Sequence, residues 1–292
     1  MRPSGPAPMP DASLSTFLAR YTSTILVEIE AVKGSSPREA GTFMLVSQKA
    51  IWETIGGGQF EYMAIDHARA MLRSGVAEDR MDIPLGPEIG QCCGGRTLLR
   101  FRLVTADIAA ALEARQKGEA EQQPAVFIFG AGHVGKALAE ALSLLPLTLT
   151  VVETRENELR DLPSAAASIL TPMPEAFVRK IPANGAAVIV THDHALDFMI
   201  AKEALARNDL AYVGMIGSKT KRATFAHWLE REDEPPSRLA KLILPIGGSG
   251  VRDKRPAVIA ALVAAELLQA FSAAETRRSG NQYGHPQGLD LA

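Results

Sequence analysis

Apolar positions along the chain keep two different rhythms, and the change falls near residue 124. In the first half the apolar runs are short and interrupted by glycine. Residues Thr24–Ala31 (TILVEIEA) alternate apolar and polar side chains, the period of a half-buried strand. Thr42–Ser47 and Thr97–Val104 read as further strands. The break Gly56-Gly57-Gly58 leads into a helix over Phe60–Ser74, whose apolar residues recur at helical spacing. Gly34-Ser35-Ser36-Pro37-Arg38 is a loop, Leu85-Gly86-Pro87 a turn and Gln91–Gly95 a tight loop. Together these predict an α+β domain over residues 12–105. A charged helical stretch, Ala106–Gln123, stops at Pro124 and predicts a linker helix over 106–124.

The second half alternates strand and helix. Ala125–Phe129 (AVFIF) is continuously apolar, as a strand covered on both faces must be. A helix is expected over Val134–Leu145, then strands at Thr148–Val152, Ala186–Val190 and Ala211–Met215. Helices are expected over Asp197–Arg207 and Lys219–Glu230, with a closing helix at Pro256–Phe271 that carries proline in its first turn. Repeated βα units predict an α/β fold class, a Rossmann-type parallel sheet with helices on both faces spanning 125–274. The polar ends, 1–11 and 275–292, are expected to be disordered.

Composition narrows the function classes. The chain has 292 residues, 47% hydrophobic and 22% charged, which suits a soluble globular protein of two domains. With 31 Lys+Arg against 33 Asp+Glu, the net charge of −2 does not suit a nucleic-acid partner. The two cysteines are adjacent, so no disulfide framework exists. The first residues lack the apolar core of a signal peptide, and no apolar run of about 18 residues is expected to span a membrane. A cytoplasmic protein is the expectation.

Gly130-Ala131-Gly132-His133-Val134-Gly135 follows a buried strand and opens a helix, the context in which this glycine spacing binds phosphate. Gly130 permits the tight turn, Gly132 lets a phosphate approach the backbone, and Gly135 lets helix and strand pack closely. The helix start offers free N–H groups and partial positive charge to an anion. Glu153, at the end of the next strand, stands where an acidic residue accepts from ribose hydroxyls. The loop does not decide between a dinucleotide and another phosphorylated heterocycle. His133 is read either as an anion contact or as a solvated turn residue.

Two further segments carry chemistry. Gln91-Cys92-Cys93-Gly94-Gly95-Arg96 places both thiols in a glycine-flanked loop beside a cation, an environment that favours thiolate and soft metals. The competing reading is a pair of buried structural cysteines. Thr191-His192-Asp193-His194 follows a strand end where α/β sheets bind ligands. It suits a polar ligand contact, a metal site with Asp197, or a helix start capped by Asp197. Lys219, Lys221 and Arg222, beside Ser218, offer three cations to an anionic group at the same edge.

Taken in order, several stretches resemble the xanthine dehydrogenase accessory protein family, the XdhC and CoxI type. They are Val32–Arg38, Gly56–Gly58, Gly90–Gly95, Gly130–Gly135, Thr191–His194, Tyr212–Ser218, Pro245–Gly247 and Pro256–Ala260. The resemblance implies a chaperone rather than a turnover enzyme. Such a protein binds the molybdenum cofactor, Mo-molybdopterin, and holds it during sulfuration by a cysteine desulfurase. It then delivers the cofactor to the molybdenum subunit of apo-xanthine dehydrogenase, and a homodimer is expected. Cys92 and Cys93 correspond to the family's cysteine motif, with one thiol toward molybdenum. The expected cofactor-binding set is then Gln91, Cys92, Cys93 and Arg96 with Gly130, Gly132, His133, Gly135, Glu153, His192, Ser218 and Lys219. Residues Gly250–Arg255 are more basic than the family pattern and fit a partner-specific surface instead. The alternatives are an NAD-dependent oxidoreductase and a nucleotide-sensing Rossmann protein.

Overall fold

The computed structural model describes residues 13–86, 94–248 and 250–282. It divides into two compact units, 1–119 and 120–292.

The first unit is an antiparallel sheet in the order β3-β2-β1-β5-β4. Its strands are β1 (Thr24–Lys33), β2 (Phe43–Ser47), β3 (Ile51–Trp52), β4 (Glu78–Pro84) and β5 (Arg96–Leu103). Period-2 alternation sorts β1 onto two faces. Ile25, Val27 and Ile29 meet Phe60, Ala64, Ala68 and Met71 of helix α2 (Gly58–Ser74). Leu26 faces the other way, against Leu14 and Phe17 of α1 (Leu14–Arg20) and Leu112 of α3 (Ala106–Glu121). The start of β1 is therefore buried on both faces, where its alternation predicted only one. The helix expected as a linker packs Leu112 into this core. Past the cover of α1 and α3, the same face carries a ladder of ion pairs described below.

The second unit is a fully parallel sheet in the order β10-β9-β6-β7-β8. Its strands are β6 (Ala125–Phe129), β7 (Thr148–Glu153), β8 (Ala166–Leu170), β9 (Ala186–Ile189) and β10 (Tyr212–Met215). The chain runs outward from β6 to β8, then returns to the other side of β6 for β9 and β10. The order thus reverses between β6 and β9, which opens a crevice at their carboxyl ends. Helices α5 (His194–Ala206) and α6 (Lys219–Arg231) cover one face through Phe198, Ile200, Ala204, Phe225 and Leu229. Helices α4 (His133–Leu142) and α7 (Pro256–Gln282) cover the other through Leu138, Leu142, Ala260, Val263, Leu267 and Phe271. Fold class and the helices on both faces match the expectation; the β7–β8 and β8–β9 connections carry short 3-10 turns instead of α-helices.

Helix α7 corrects two expectations. It continues to Gln282, so residues 275–282 are helical rather than a disordered tail. The run Ala273-Ala274-Glu275 favours helix, and Ala274 is buried. Residues 1–11 and 283–292 lie outside the described residues. Pro256–Arg278 is also long and apolar enough, by length and composition, to cross a membrane, contrary to the expected absence of such a run. Its Ala260, Val263, Leu267 and Phe271 pack on the sheet.

Candidate functional site

At the carboxyl edge of the parallel sheet, three loops meet. Gly130, immediately after β6, has φ +110°, and a Cβ there would lie 2.6 Å from the Val190 carbonyl oxygen and 2.8 Å from Thr191 Cα. Glycine is required because the backbone leaving β9 crosses directly over it. A Cβ on Gly135 would sit 2.0 Å from the Gly130 oxygen, so α4 packs hard onto the turn. Gly132 is different. As the residue preceding α4 it has ordinary extended backbone, and a Cβ there would meet nothing within 4 Å. Its face is the side of the loop that a ligand can approach. His133 is exposed beside it.

Glu153 ends β7 and is 3% exposed. One carboxylate oxygen accepts from the Ala131 backbone N–H at 2.7 Å, inside the glycine loop. The other accepts from the backbone N–H groups of Thr154 and Arg155 at 2.8 and 3.1 Å. The Arg155 guanidinium adds Nε and Nη2 bonds of 3.1 Å each. Burial alone would raise this carboxyl group's pKa, but the hydrogen bonds from Arg155, Ala131 and Thr154 outweigh it and hold the value at about 2. Arg155 is correspondingly raised by its bonds to Glu153.

The loops after β9 and β10 are joined by a buried ion pair that the sequence did not reveal. Asp197 is fully buried and Lys221 8% exposed, and the Lys221 ammonium donates to the Asp197 carboxylate. Asp197 also accepts from the Thr191 hydroxyl at 2.7 Å and the Thr191 N–H at 3.1 Å. Lys221 also donates to the Ile216 carbonyl at 2.9 Å. One pair therefore pins both loop starts. Asp197 is not the helix cap expected for α5. Asp193 caps it, accepting from the Ala195 and Leu196 N–H groups at 2.7 and 3.1 Å, and those bonds lower its carboxyl pKa.

The three cations expected to face an anion here have separated. Lys221 is spent on Asp197. Arg222 donates to the Leu239 and Leu242 carbonyls at 3.0 Å each. Only Lys219 stays exposed, next to Ser218, whose hydroxyl caps α6 by accepting from Lys221 N–H at 3.3 Å. His192 is exposed. Among the described residues no group of three or more His, Cys, Asp or Glu is placed to hold a metal ion.

In the first unit the separate glycine motifs come together. Ser35 forms a parallel bridge with Gly94, and a Cβ on Gly95 would lie 2.0 Å from the Ser35 oxygen. A Cβ on Gly56 would lie 2.9 Å from Pro37 Cγ. Glu61 of α2 gathers the turn before its helix, accepting from the Ile55 and Gly57 N–H groups at 3.0 and 3.1 Å and from the Thr54 hydroxyl. The Gly34–Arg38 loop is thus the hub against which the Gly56 turn and the Gly94-Gly95 pair close. Leu85 donates to the Gly95 carbonyl at 2.8 Å and accepts from the Gly94 N–H at 2.9 Å. Gln91, Cys92 and Cys93, expected to bind cofactor and metal, lie outside the described residues. Arg96, expected near the thiols in the cofactor-binding set, donates to Asp82 at 2.6 Å and lowers that carboxyl group's pKa.

Two structural units, one of them a 3-2-1-4-5 parallel sheet with a glycine loop at its switch point, define a protein with a Rossmann domain. The XdhC Rossmann domain model matches residues 126–267, and the XdhC and CoxI family model matches residues 17–83. The chain belongs to the XdhC and CoxI family. It is similar to the uncharacterized protein YqeB of Escherichia coli K12, with 24% identity over 253 residues. That match covers 84% of this chain and 43% of YqeB, so the chain spans less than half the length of that relative. It also shares its fold with a crystal structure described as a xanthine dehydrogenase from Bacillus halodurans. The TM-score is 0.74 at 19% identity, over 89% of this chain and 95% of that one.

Proposed function

We propose that this protein is a cytoplasmic, homodimeric carrier of molybdenum cofactor in the maturation of xanthine dehydrogenase. Family membership supports the role in maturation. The observation that carries the cargo reading is the built carboxyl edge of the sheet: a glycine loop braced by Glu153 and open at Gly132, beside loops pinned by Asp197 and Lys221. In this reading the terminal phosphate of the pterin meets the N–H groups at Gly132–His133, with Ser218, Lys219 and His192 on the neighbouring loops. Cys92 or Cys93 is the proposed thiolate toward molybdenum, a soft ligand that suits the metal. The protein acts by holding and releasing its cargo, first toward a cysteine desulfurase and then toward the molybdenum subunit of the apo-enzyme. It performs no turnover chemistry of its own.

Protein purified from a molybdenum-replete host tests this. Molybdenum by elemental analysis and fluorescent oxidised pterin are expected to copurify in matching amounts, and to fall together in Cys92→Ala or Cys93→Ala. Tight binding of NAD(H) with neither molybdenum nor pterin present would instead make this an oxidoreductase or a nucleotide sensor.

A further inference from the structure

In Rossmann domains that bind NAD, a carboxylate at the end of the second strand accepts hydrogen bonds from the ribose hydroxyls. Glu153 occupies that position but has no acceptor capacity left. Its Oε1 accepts from Thr154 N, Thr154 Oγ1, Arg155 N and Arg155 Nε, at 2.8 to 3.1 Å. Its Oε2 accepts from Ala131 N at 2.7 Å and Arg155 Nη2 at 3.1 Å. A carboxylate offers about four lone-pair directions, and six donors already crowd them. It is also 2% exposed at the side chain, sealed by a guanidinium that is itself 38% exposed.

What the edge presents to a ligand is therefore the cation and not the carboxylate. Arg155 Nη2 and Ala131 N share one oxygen, so the guanidinium sits directly beside the glycine loop. Its Nη1 faces Glu158 at 3.6 Å, beyond hydrogen-bond distance, and Lys136 of α4 approaches the same Glu158 at 3.8 Å. Arg155 and Lys136 thus share one carboxylate, Glu158, without either making a hydrogen bond to it. A planar guanidinium in this position matches a phosphate dianion and gives a hydroxyl pair nothing to donate to.

We infer that the second domain selects a phosphate monoester and rejects an unphosphorylated ribose diol, with Arg155 as the residue that sets this choice and Glu153 as the residue that positions it. The inference deepens the cargo reading and rests on it for the pterin, but not for the selection itself.

Calorimetric titration of the full chain with two matched pairs of probes tests it. One pair is NADPH and NADH. The other is the oxidised pterin of molybdopterin with its terminal phosphate, and the same pterin after phosphatase. In any pair that binds, the phosphorylated member is expected to bind about tenfold or more tighter. Arg155→Met is expected to abolish the difference in the nicotinamide pair and to shrink it in the pterin pair, whose phosphate also meets the Gly132–His133 N–H groups; Arg155→Lys, which keeps the charge and a partner for Glu153, is expected to restore part of it. Thermal melts of each variant show whether the fold is kept. Equal affinity within a binding pair, or a preference undiminished in a folded Arg155→Met, overturns the inference. Phosphate preference in the nicotinamide pair alone, with neither pterin bound, sustains the inference and defeats the cargo reading. Pterin binding without phosphate preference does the reverse, and no binding by any of the four defeats both.

Discussion

In the first unit a ladder of charged residues stands on the open face of an antiparallel sheet, whereas in the second three charged residues lie buried beneath the ends of parallel strands. On the first sheet, Arg80 pairs with Glu30, Arg96 with Asp82, Arg100 with Glu78 and Arg102 with Glu28, a ladder running across β4, β5 and β1. These side chains are 26–57% exposed, and water competes for every bond. In the second unit Glu153, Asp197 and Lys221 are at most 8% exposed, and each also holds loop backbone in place. The difference teaches where charge does structural work. On an open face it keeps an edge strand soluble and discourages further strand pairing. Under a ligand edge it fixes loop geometry, and its loss cannot be repaired by solvent.

The sharpest way to break this comparison is at Asp197. Asp197→Ala leaves the Lys221 ammonium buried without its counter-charge and frees Thr191. A loss of about 3–5 kcal/mol in urea unfolding of this chain is expected. If the variant unfolds at the wild-type urea midpoint, the buried pair is not structural.

Glu153 comes next. Its folded-state pKa, about 2, lies below the unfolded value near 4.5. Its contribution is therefore complete above about pH 4.5 and is lost progressively as pH falls toward 2. Glu153→Gln is expected to cost on the order of 2–3 kcal/mol at pH 7, with the gap from wild type closing between pH 4.5 and 2. Denaturant unfolding at stepped pH reads this directly. A gap that stays constant over that window would remove the carboxylate's charge from the account.

The smallest effect belongs to the exposed ladder. Arg80→Ala is expected to leave the melting temperature within experimental error of wild type, and any change should vanish in high salt. A melting point that drops as far as that of Asp197→Ala would erase the distinction between the two units.

The parallel sheet was legible because its strands are covered on both faces and so read as continuous apolar runs, as in Ala125–Phe129 and Ala186–Val190. The glycine loop was legible because a strand, a glycine spacing and a helix follow one another within a few residues. The edge strand Glu78–Pro84 was not. Its sequence, EDRMDIP, carries the charges and terminal proline that protect an edge, and loops share that composition. Helix α1 was hidden by its brevity, and β8 by its small, half-exposed side chains. Among site residues, Gly130 and Gly135 have the roles their spacing implied. For Glu153, Asp197 and Lys221 the sequence offered no protein partner, and the structure supplies them: Ala131 and Arg155 for Glu153, and Asp197 and Lys221 for one another.

From the amino-acid order alone came the α/β class, the position of the glycine loop and the family to which the chain belongs, because periodicity and contiguous motifs are local properties of a chain. Tertiary structure alone decided that Glu153 turns inward to Ala131, that Lys221 reaches Asp197 across 24 residues, and that Ser35 meets Gly94. A side chain's partner is chosen by which strands the sheet lays side by side. Once burial removes water as a competitor, the nearest donor or acceptor takes the bond whatever its distance along the chain.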